Sequence, residues 1–234
     1  MELLSEKDSL ISSKVKAVIF DFDGTIADTM PFLTELAVIL ITEKYNVSKE
    51  EAERRYLDTT GIDFATQLEL LFPNHPNNHE VAATFESRKL ESIFAHPIFS
   101  DVIPTLNYFK NKAIKTFICS STKQEIITKY ARLNKIDDMV DGLFGCKSDF
   151  RKGEQIDFVL QHYKLQPDEV MFIGDSLKDY DFAKEKKVDF IGLSRIFEKI
   201  EFQKKGALSV PCLTDLVKLF DKSEKYFYSV EMIK

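Results

Sequence analysis

Three cysteines are all this chain of 234 residues has, Cys119, Cys146 and Cys212. They are odd in number and widely spaced, with no Cys-x-x-Cys and no Cys/His pairing that would suggest a zinc site. Cys119 lies inside an apolar run and reads as a small buried hydrophobe. Basic residues are also short: 32 against 38 acidic, a net charge of −6. A nucleic-acid binder usually carries the opposite excess, so no nucleic-acid partner is expected. A small anionic substrate remains compatible, because a local cluster of donors binds one despite the overall sign. No apolar run approaches the length of a bilayer span, so no membrane partner is expected. The opening stretch MELLSEKDSLISSK mixes acids with its apolar residues and lacks the apolar core of a signal peptide. A cytoplasmic protein is the expectation. Internal repeats and low-complexity segments are missing too.

What is present is a globular composition, 44% hydrophobic and 30% charged. The length allows one large domain, or a core with a smaller second unit. The informative stretch is VKAVIFDFDGTIADT, residues 15–29. An apolar, β-branched run over residues 15–20 reads as a buried strand. It stops abruptly at Asp21-Phe22-Asp23-Gly24-Thr25. Residues i and i+2 of an extended chain share a side, so Asp21 and Asp23 can face one ligand. A carboxylate at the end of a buried strand is costly unless paired or bound to a cation. An ordinary Asp/Gly turn is the competing reading.

Residues 31–94 carry helix signals and almost no strand signals. PFLTELAVILITEKY reads as a long helix with Pro31 in its first turn. Ser48 and Glu51 match a capping box, and Asp63 can cap the next helix. HEVAATFESRKLESIF is a further helix. After His96-Pro97 the pattern alternates. Strand-like KTFICS, a short stretch at Leu143-Phe144, EVMFIG and VDFIGLS are separated by helical segments. The last helix is TDLVKLFDKSEKYF. Residues 1–14 read as a helical or frayed lead-in. Alternation of this kind predicts a doubly wound α/β parallel sheet, a Rossmann-like core. The predicted core spans 1–28 and 96–234, and the predicted α-helical cap, inserted after the first strand, spans 29–95.

Ligands of such sheets bind beyond the carboxyl ends of the strands. The second strand ends at Ser120-Ser121-Thr122 and the fourth at Gly174-Asp175-Ser176, with Asp179 four residues beyond Asp175. Lys152 precedes a helix after the third strand. Each has a plain alternative. Ser120 or Ser121, the latter preferred, can cap the next helix. Lys152 can be a solvated loop charge, Asp175 or Ser176 an N-cap, and Asp179 a residue on a wet helix face. Together they form one set, since carboxylates from two strands suit a hard cation such as Mg2+. An added lysine and hydroxyl suit a phosphoryl group.

The set resembles the haloacid dehalogenase superfamily, in its phosphatase branch with a helical cap (phosphoglycolate phosphatase-like). Asp21–Thr25 matches its Asp-x-Asp-Gly-Thr motif, and Gly174, Asp175 and Asp179 match Gly-Asp-x-x-x-Asp. Ser120 and Lys152 match two single-residue motifs by position. The resemblance implies a Mg2+-dependent phosphatase acting on a small phosphorylated metabolite. Asp21 would be the nucleophile and Asp23 the general acid and base. For the latter role Asp23 should be partly protonated and turned toward the cap. Asp21 and Asp175 would hold the metal by their side chains, Asp23 by its backbone carbonyl. Ser120 and Lys152 would hold phosphoryl oxygens, Ser121 would join the substrate contacts, and Gly24 would let the chain turn beside the phosphate. Asp179 would orient Lys152 or a metal water. Asp23 argues against the dehalogenase branch, which lacks that acid. The loop at 58–64 has no lysine or arginine, which favours plain hydrolysis over a β-phosphoglucomutase-like phosphomutase unless Arg54, Arg55 or Lys89 reaches inward. A non-catalytic binding protein on the same fold is the third reading. The state expected is monomer or homodimer. His75, His79, His96 and His162 lack ligand-type spacing and are expected to be bystanders.

Overall fold

In a computed structural model of the protein, residues 14–231 are described, with side chains through Ser223. The lead-in expected over residues 1–14 falls, except for Lys14, outside the described residues. The first strand, β1, is Ala17–Phe20, and all four residues are buried. Its run is continuously apolar because both faces are covered. Val18 and Phe20 join one cluster with Leu106, Phe109, Tyr130 and Phe220. Ala17 and Ile19 point the other way, into a cluster with Phe117, Ile156, Val159 and Phe172. The period of two along the strand thus divides the core into two layers.

Four helices follow β1: α1 (Met30–Lys44), α2 (Lys49–Thr59), α3 (Phe64–Leu71) and α4 (Asn78–Ser92). They share their own cluster, including Leu36, Leu40, Tyr56, Phe64, Leu68 and Phe85. Asp63 accepts from Thr66 N at the start of α3. Ser48 likewise accepts from Glu51 N, but the Glu51 carboxylate binds Arg54 and Arg55, so the expected reciprocal box is only half made.

The chain then runs α5 (Val102–Asn111), β2 (Lys115–Lys123), α6 (Gln124–Leu133), β3 (Gly142–Cys146), α7 (Lys152–His162), β4 (Val170–Gly174), α8 (Leu177–Lys186), β5 (Asp189–Leu193), α9 (Lys199–Lys204), β6 (Leu208–Val210) and α10 (Leu213–Glu231). The six strands lie in the order β3-β2-β1-β4-β5-β6, every pairing parallel. Among the described residues no helix is long and apolar enough to cross a membrane.

Three elements depart from the sequence reading. A sixth strand and the short helix before it were not predicted. β6 is only three residues long and pairs with β5 alone, so its extension comes from the neighbour and not from a strong local pattern. β2 also runs on past Cys119 to Lys123, pairing with β3 across a register irregularity. Its hydroxyl residues are therefore strand residues. Ser121, the preferred cap for the next helix, does not cap it. Lys123 occupies that position without a side-chain bond, and Ser121 Oγ donates instead to the Gly61 carbonyl, 2.8 Å away.

Candidate active site

β1 ends where its ladder with β4 ends, and Asp21 N donates to the Ile173 carbonyl at 2.8 Å. This places Asp21 beside Asp175, the residue that follows β4. Beyond Asp21 the chain folds back on itself. The Phe22 carbonyl accepts from Ile26 N and Ala27 N, each at 2.9 Å. Gly24 has φ +77°, and a Cβ there would stand 2.0 Å from Asp175 Oδ2. Both the turn and the approach to Asp175 therefore require glycine.

Lys152 opens α7 and is buried, with 1% of its surface exposed. Its Nζ donates to Asp21 Oδ1 at 2.8 Å and to Asp179 Oδ1 at 2.6 Å. It is thus no solvated loop charge. Asp179 is fully buried and not on a wet helix face. Its Oδ2 accepts from Ser176 N and Ser176 Oγ, while Ser176 Oγ accepts from Asp179 N. Ser176 and Asp179 so form the capping box of α8, with Ser176 as N-cap. Asp175 is left to face the site. Its Oδ1 accepts weakly from Thr25 Oγ1 at 3.4 Å, and its buried Oδ2 has no partner.

Carboxylate oxygens of Asp21, Asp175 and Asp179 all lie within 4.8 Å of one another. Asp179 is committed on both oxygens, so Asp21 and Asp175 are the side chains with capacity for a cation. Burial first, then Asp179 and Asp23, push the Asp21 carboxyl up to about 7 despite Lys152. Burial and the charges of Asp21 and Asp179 push Asp175 well above the usual carboxylate range. Burial alone would lower Lys152, but Asp179 and Asp21 outweigh it and drive its pKa upward. Hard oxygen donors, crowding of like charge and the orphaned Asp175 oxygen all fit Mg2+.

The Asp23 side chain is not part of that group. Its Oδ1 accepts from Thr29 Oγ1 at 2.7 Å. Its Oδ2 accepts from Lys89 Nζ, on α4, at 3.2 Å and from Thr122 Oγ1, near the end of β2. Lys89 Nζ also donates to Thr122 Oγ1. Burial would raise the Asp23 carboxyl, but the Lys89 charge and the three hydrogen bonds hold it below its ordinary value. The partly protonated Asp23 expected from sequence is therefore not what this arrangement favours, because a cation from the helical insertion stabilises the charged form.

These groups surround a cavity of about 50 Å³. Asp21, Asp23, Asp175, Lys152, Ser121 and Thr122 line it from the core; Leu33, Tyr56, Phe64, Phe85 and Lys89 line it from the four helices. Ser120 and Gly24 are not lining residues. The buried Ser120 Oγ instead accepts from Thr122 N at 2.9 Å. None of the four histidines lines the cavity. The insertion is latched over it by the Ser121–Gly61 bond and by Arg151, whose guanidinium reaches Thr66 Oγ1 at 3.3 Å and Asp63 at 3.7 Å.

Sequence reasoning missed three participants. Thr122 was passed over beside two serines. Lys89 was left only as a residue that might point inward. Its position had a signal, since Asn78, Val81, Ala82, Phe85 and Lys89 form one buried stripe of α4. Arg195, just beyond β5, was not considered. It donates to the carbonyls of Gly24 at 3.1 Å and Thr25 at 2.9 Å, pairs with Asp101, and stacks 3.5 Å from the centroid of Phe99. A charged residue at the carboxyl end of the fifth strand was the available signal.

The parallel sheet with carboxylates on neighbouring strand ends places the protein among the Rossmann-like α/β proteins. The family model described as haloacid dehalogenase-like hydrolase matches residues 18–193, and the chain belongs to that family. A protein of Caldanaerobacter subterraneus named for a proposed pyrophosphatase activity, PpaX, is 25% identical over 201 residues, covering 82% of this chain and 87% of its own. A haloacid dehalogenase-like hydrolase from Bacteroides fragilis superposes with TM-score 0.74 at 22% identity, over 87% of this chain and 100% of that one. A proposed phosphoglycolate phosphatase from Lactobacillus delbrueckii does so with TM-score 0.74 at 18% identity, over 88% and 98%.

Proposed function

We propose that the protein is a Mg2+-dependent phosphatase that hydrolyses a small phosphorylated metabolite through an aspartyl-phosphate intermediate. The observation that carries this reading is the convergence of Asp21 and Asp175, at the ends of two adjacent strands, with Lys152 from the start of α7, Asp175 Oδ2 being unpartnered. Membership of the family and the names borne by the relatives support the same reaction class.

Asp21 is the nucleophile. Its carboxylate attacks phosphorus in line and forms an acyl phosphate, which divides the hydrolysis into two easier displacements. Asp21, Asp175 and the Asp23 backbone carbonyl would hold Mg2+, which would supply positive charge against the repulsion between carboxylate and phosphate. Lys152 holds the attacking carboxylate in place and balances charge on the phosphoryl oxygens. The hydroxyls at the end of β2 are the hydrogen-bond donors on that side, with Ser121 and Thr122 nearer the cavity than Ser120. Asp23 lies on the side of the leaving oxygen. It hands that oxygen a proton and then takes one from the attacking water. The ionised form favoured by Lys89 is the form needed for the second task. Residues 29–95 act as a cap, covering the reacting atoms and excluding bulk water.

The test is release of inorganic phosphate from p-nitrophenyl phosphate, with Mg2+ and with a chelator. Asp21→Asn is expected to lower turnover on the order of 10³-fold or more. Substantial Mg2+-dependent turnover surviving in that variant would refute the nucleophile assignment.

A further inference from the structure

Resting on that reading, we propose that the substrate is compact and that its leaving group carries a second negative charge, a carboxylate or another phosphoryl group, which is bound by Lys89. Lys89 and Lys152 are the only cations among the residues that line the cavity. Lys152 donates to Asp21 and Asp179 and, in the proposed mechanism, turns its remaining capacity to the transferred phosphoryl group, so the tail is left to the other cation. Lys89 is different. Its side chain is only 8% exposed, and its acceptors are Asp23 Oδ2 and Thr122 Oγ1. An ammonium has three donors, so one remains to be directed at an occupant. Burying a lysine is costly unless its charge is used, and the cavity beside it is where a partner can sit.

Position assigns the partner to the leaving group. In-line attack by Asp21 puts the departing oxygen on the opposite side of phosphorus, the side on which Asp23 acts. Lys89 touches Asp23 there. In the first step the bond from phosphorus to the leaving oxygen breaks as the bond to Asp21 forms, and the departing oxygen keeps the electron pair and takes a proton. In the second step water attacks phosphorus as the bond from phosphorus to Asp21 breaks; the carboxylate leaves with that electron pair, the water's proton goes to Asp23, and inorganic phosphate is released. A charge on the leaving group within a few bonds of that oxygen falls beside Lys89. The other two basic candidates are occupied on the surface of α2. Arg54 binds Glu51 and Asp58, Arg55 binds Glu51, and neither lines the cavity.

Size narrows the class further. A cavity of about 50 Å³ has room for a few waters or a phosphoryl group, far less than the ~300 Å³ at which pockets for larger ligands begin. On the side of the helices it is lined by Tyr56, Phe64 and Phe85 together with Asp63, Gln67 and Glu86. A compact leaving group suits this volume better than a hexose or a nucleoside does.

The test is a kcat/KM panel on the full chain with Mg2+. It compares 2-phosphoglycolate and inorganic pyrophosphate with 2-hydroxyethyl phosphate, which matches phosphoglycolate in size but has a neutral tail. One well-placed charge pair predicts that at least one anionic compound exceeds the neutral one by about tenfold or more. The anionic compound that does so identifies the tail as carboxylate or phosphoryl. Lys89→Gln should lower turnover of every substrate, because Asp23 loses its partner, and should in addition bring that ratio down to near one. Lys89→Arg should keep much of the ratio. The wild-type ratio and the arginine variant decide the question even where the glutamine variant does not fold. A wild-type ratio near one, faster turnover of glucose 6-phosphate or AMP, or a ratio unchanged in Lys89→Gln would each overturn the proposal. Turnover of p-nitrophenyl phosphate without tail preference removes this inference alone; no turnover of any phosphate removes the phosphatase reading as well.

Discussion

The crowding of Asp21 and Asp175 makes stability depend on pH in a direction opposite to that of most paired carboxylates. Without a divalent cation, the folded state holds the Asp21 carboxyl at about 7, against 3.8 for an ordinary aspartate. Between those values the unfolded chain has released the proton and the folded chain has kept it. The folded state binds more protons, so its stability falls as pH rises and the loss is complete once pH passes about 7. Each such group costs about 1.4 kcal/mol per pH unit within the window. From pH 5 to pH 7, Asp21 alone accounts for roughly 2 kcal/mol, or roughly 4–8 °C in Tm for a chain of this size. Asp175 acts in the same direction. Asp23 and Glu51, whose pKa values are lowered, act the other way, but their stabilisation is lost only at pH values below the ordinary carboxylate range.

A cation bound between Asp21 and Asp175 favours their ionised forms. Mg2+ should therefore raise Tm by an increment that grows from pH 5 to pH 7. Thermal unfolding followed at several pH values, in chelator and in Mg2+, reads both effects. A Tm in chelator that stays flat or rises over that range would refute the crowding argument. An equal Mg2+ increment in Asp175→Asn would refute the assignment of the cation to these side chains.

Two further substitutions test how the loop after β1 is held. Gly24→Ala places a Cβ 2.0 Å from Asp175 Oδ2 at a φ of +77°, so phosphate release should fall at least about tenfold with a lower Tm. Arg195→Ala removes the donors to the Gly24 and Thr25 carbonyls, and kcat should fall by about tenfold, with Arg195→Lys recovering little because a lysine cannot reproduce the fork or the stack on Phe99. Wild-type kcat in Arg195→Ala would show that the loop holds its shape unaided.

Much of the core site was legible because its signals are local. An apolar strand that ends in a carboxylate marks Asp21 and Asp175 within a few residues of sequence. Lys152 and Asp179 followed from their places after strands. What stayed illegible depends on contacts between distant segments. Asp23 meets Lys89 and Thr122 across 66 and 99 residues, and nothing near Asp23 in sequence specifies either. The reading of Ser121 failed for a related reason. Whether β2 stops at Cys119 or continues is decided by its pairing with β3, which leaves no trace within SST. β6 is too short to announce itself without β5 beside it. The stripe of α4 shows how Lys89 could have been found, since a lysine in phase with Val81 and Phe85 contradicts an amphipathic pattern.

The two acids of the first motif differ in where their partners come from. Lys152, Asp175 and Asp179, which surround Asp21, all belong to elements of the sheet or the helices that follow its strands. The nucleophile's surroundings are therefore built by the core alone. Asp23 draws Thr29 from the residue before α1 and Thr122 from β2, but its only cation comes from α4. Displacement of the four helices would leave Asp21 assembled and strip Asp23 of Lys89. Loss of that charge removes the largest influence holding the Asp23 carboxyl down, while added water relieves the burial that pushes it up. The two changes oppose each other, so the proton affinity of Asp23 is tied to the seating of α4 through one hydrogen-bonded ion pair. In the proposed mechanism, attack by Asp21 would draw only on the core, whereas proton transfer by Asp23 would draw on the core and the four helices together. On the proposed mechanism, that division puts the cation beside the leaving group on the helices and not on the sheet.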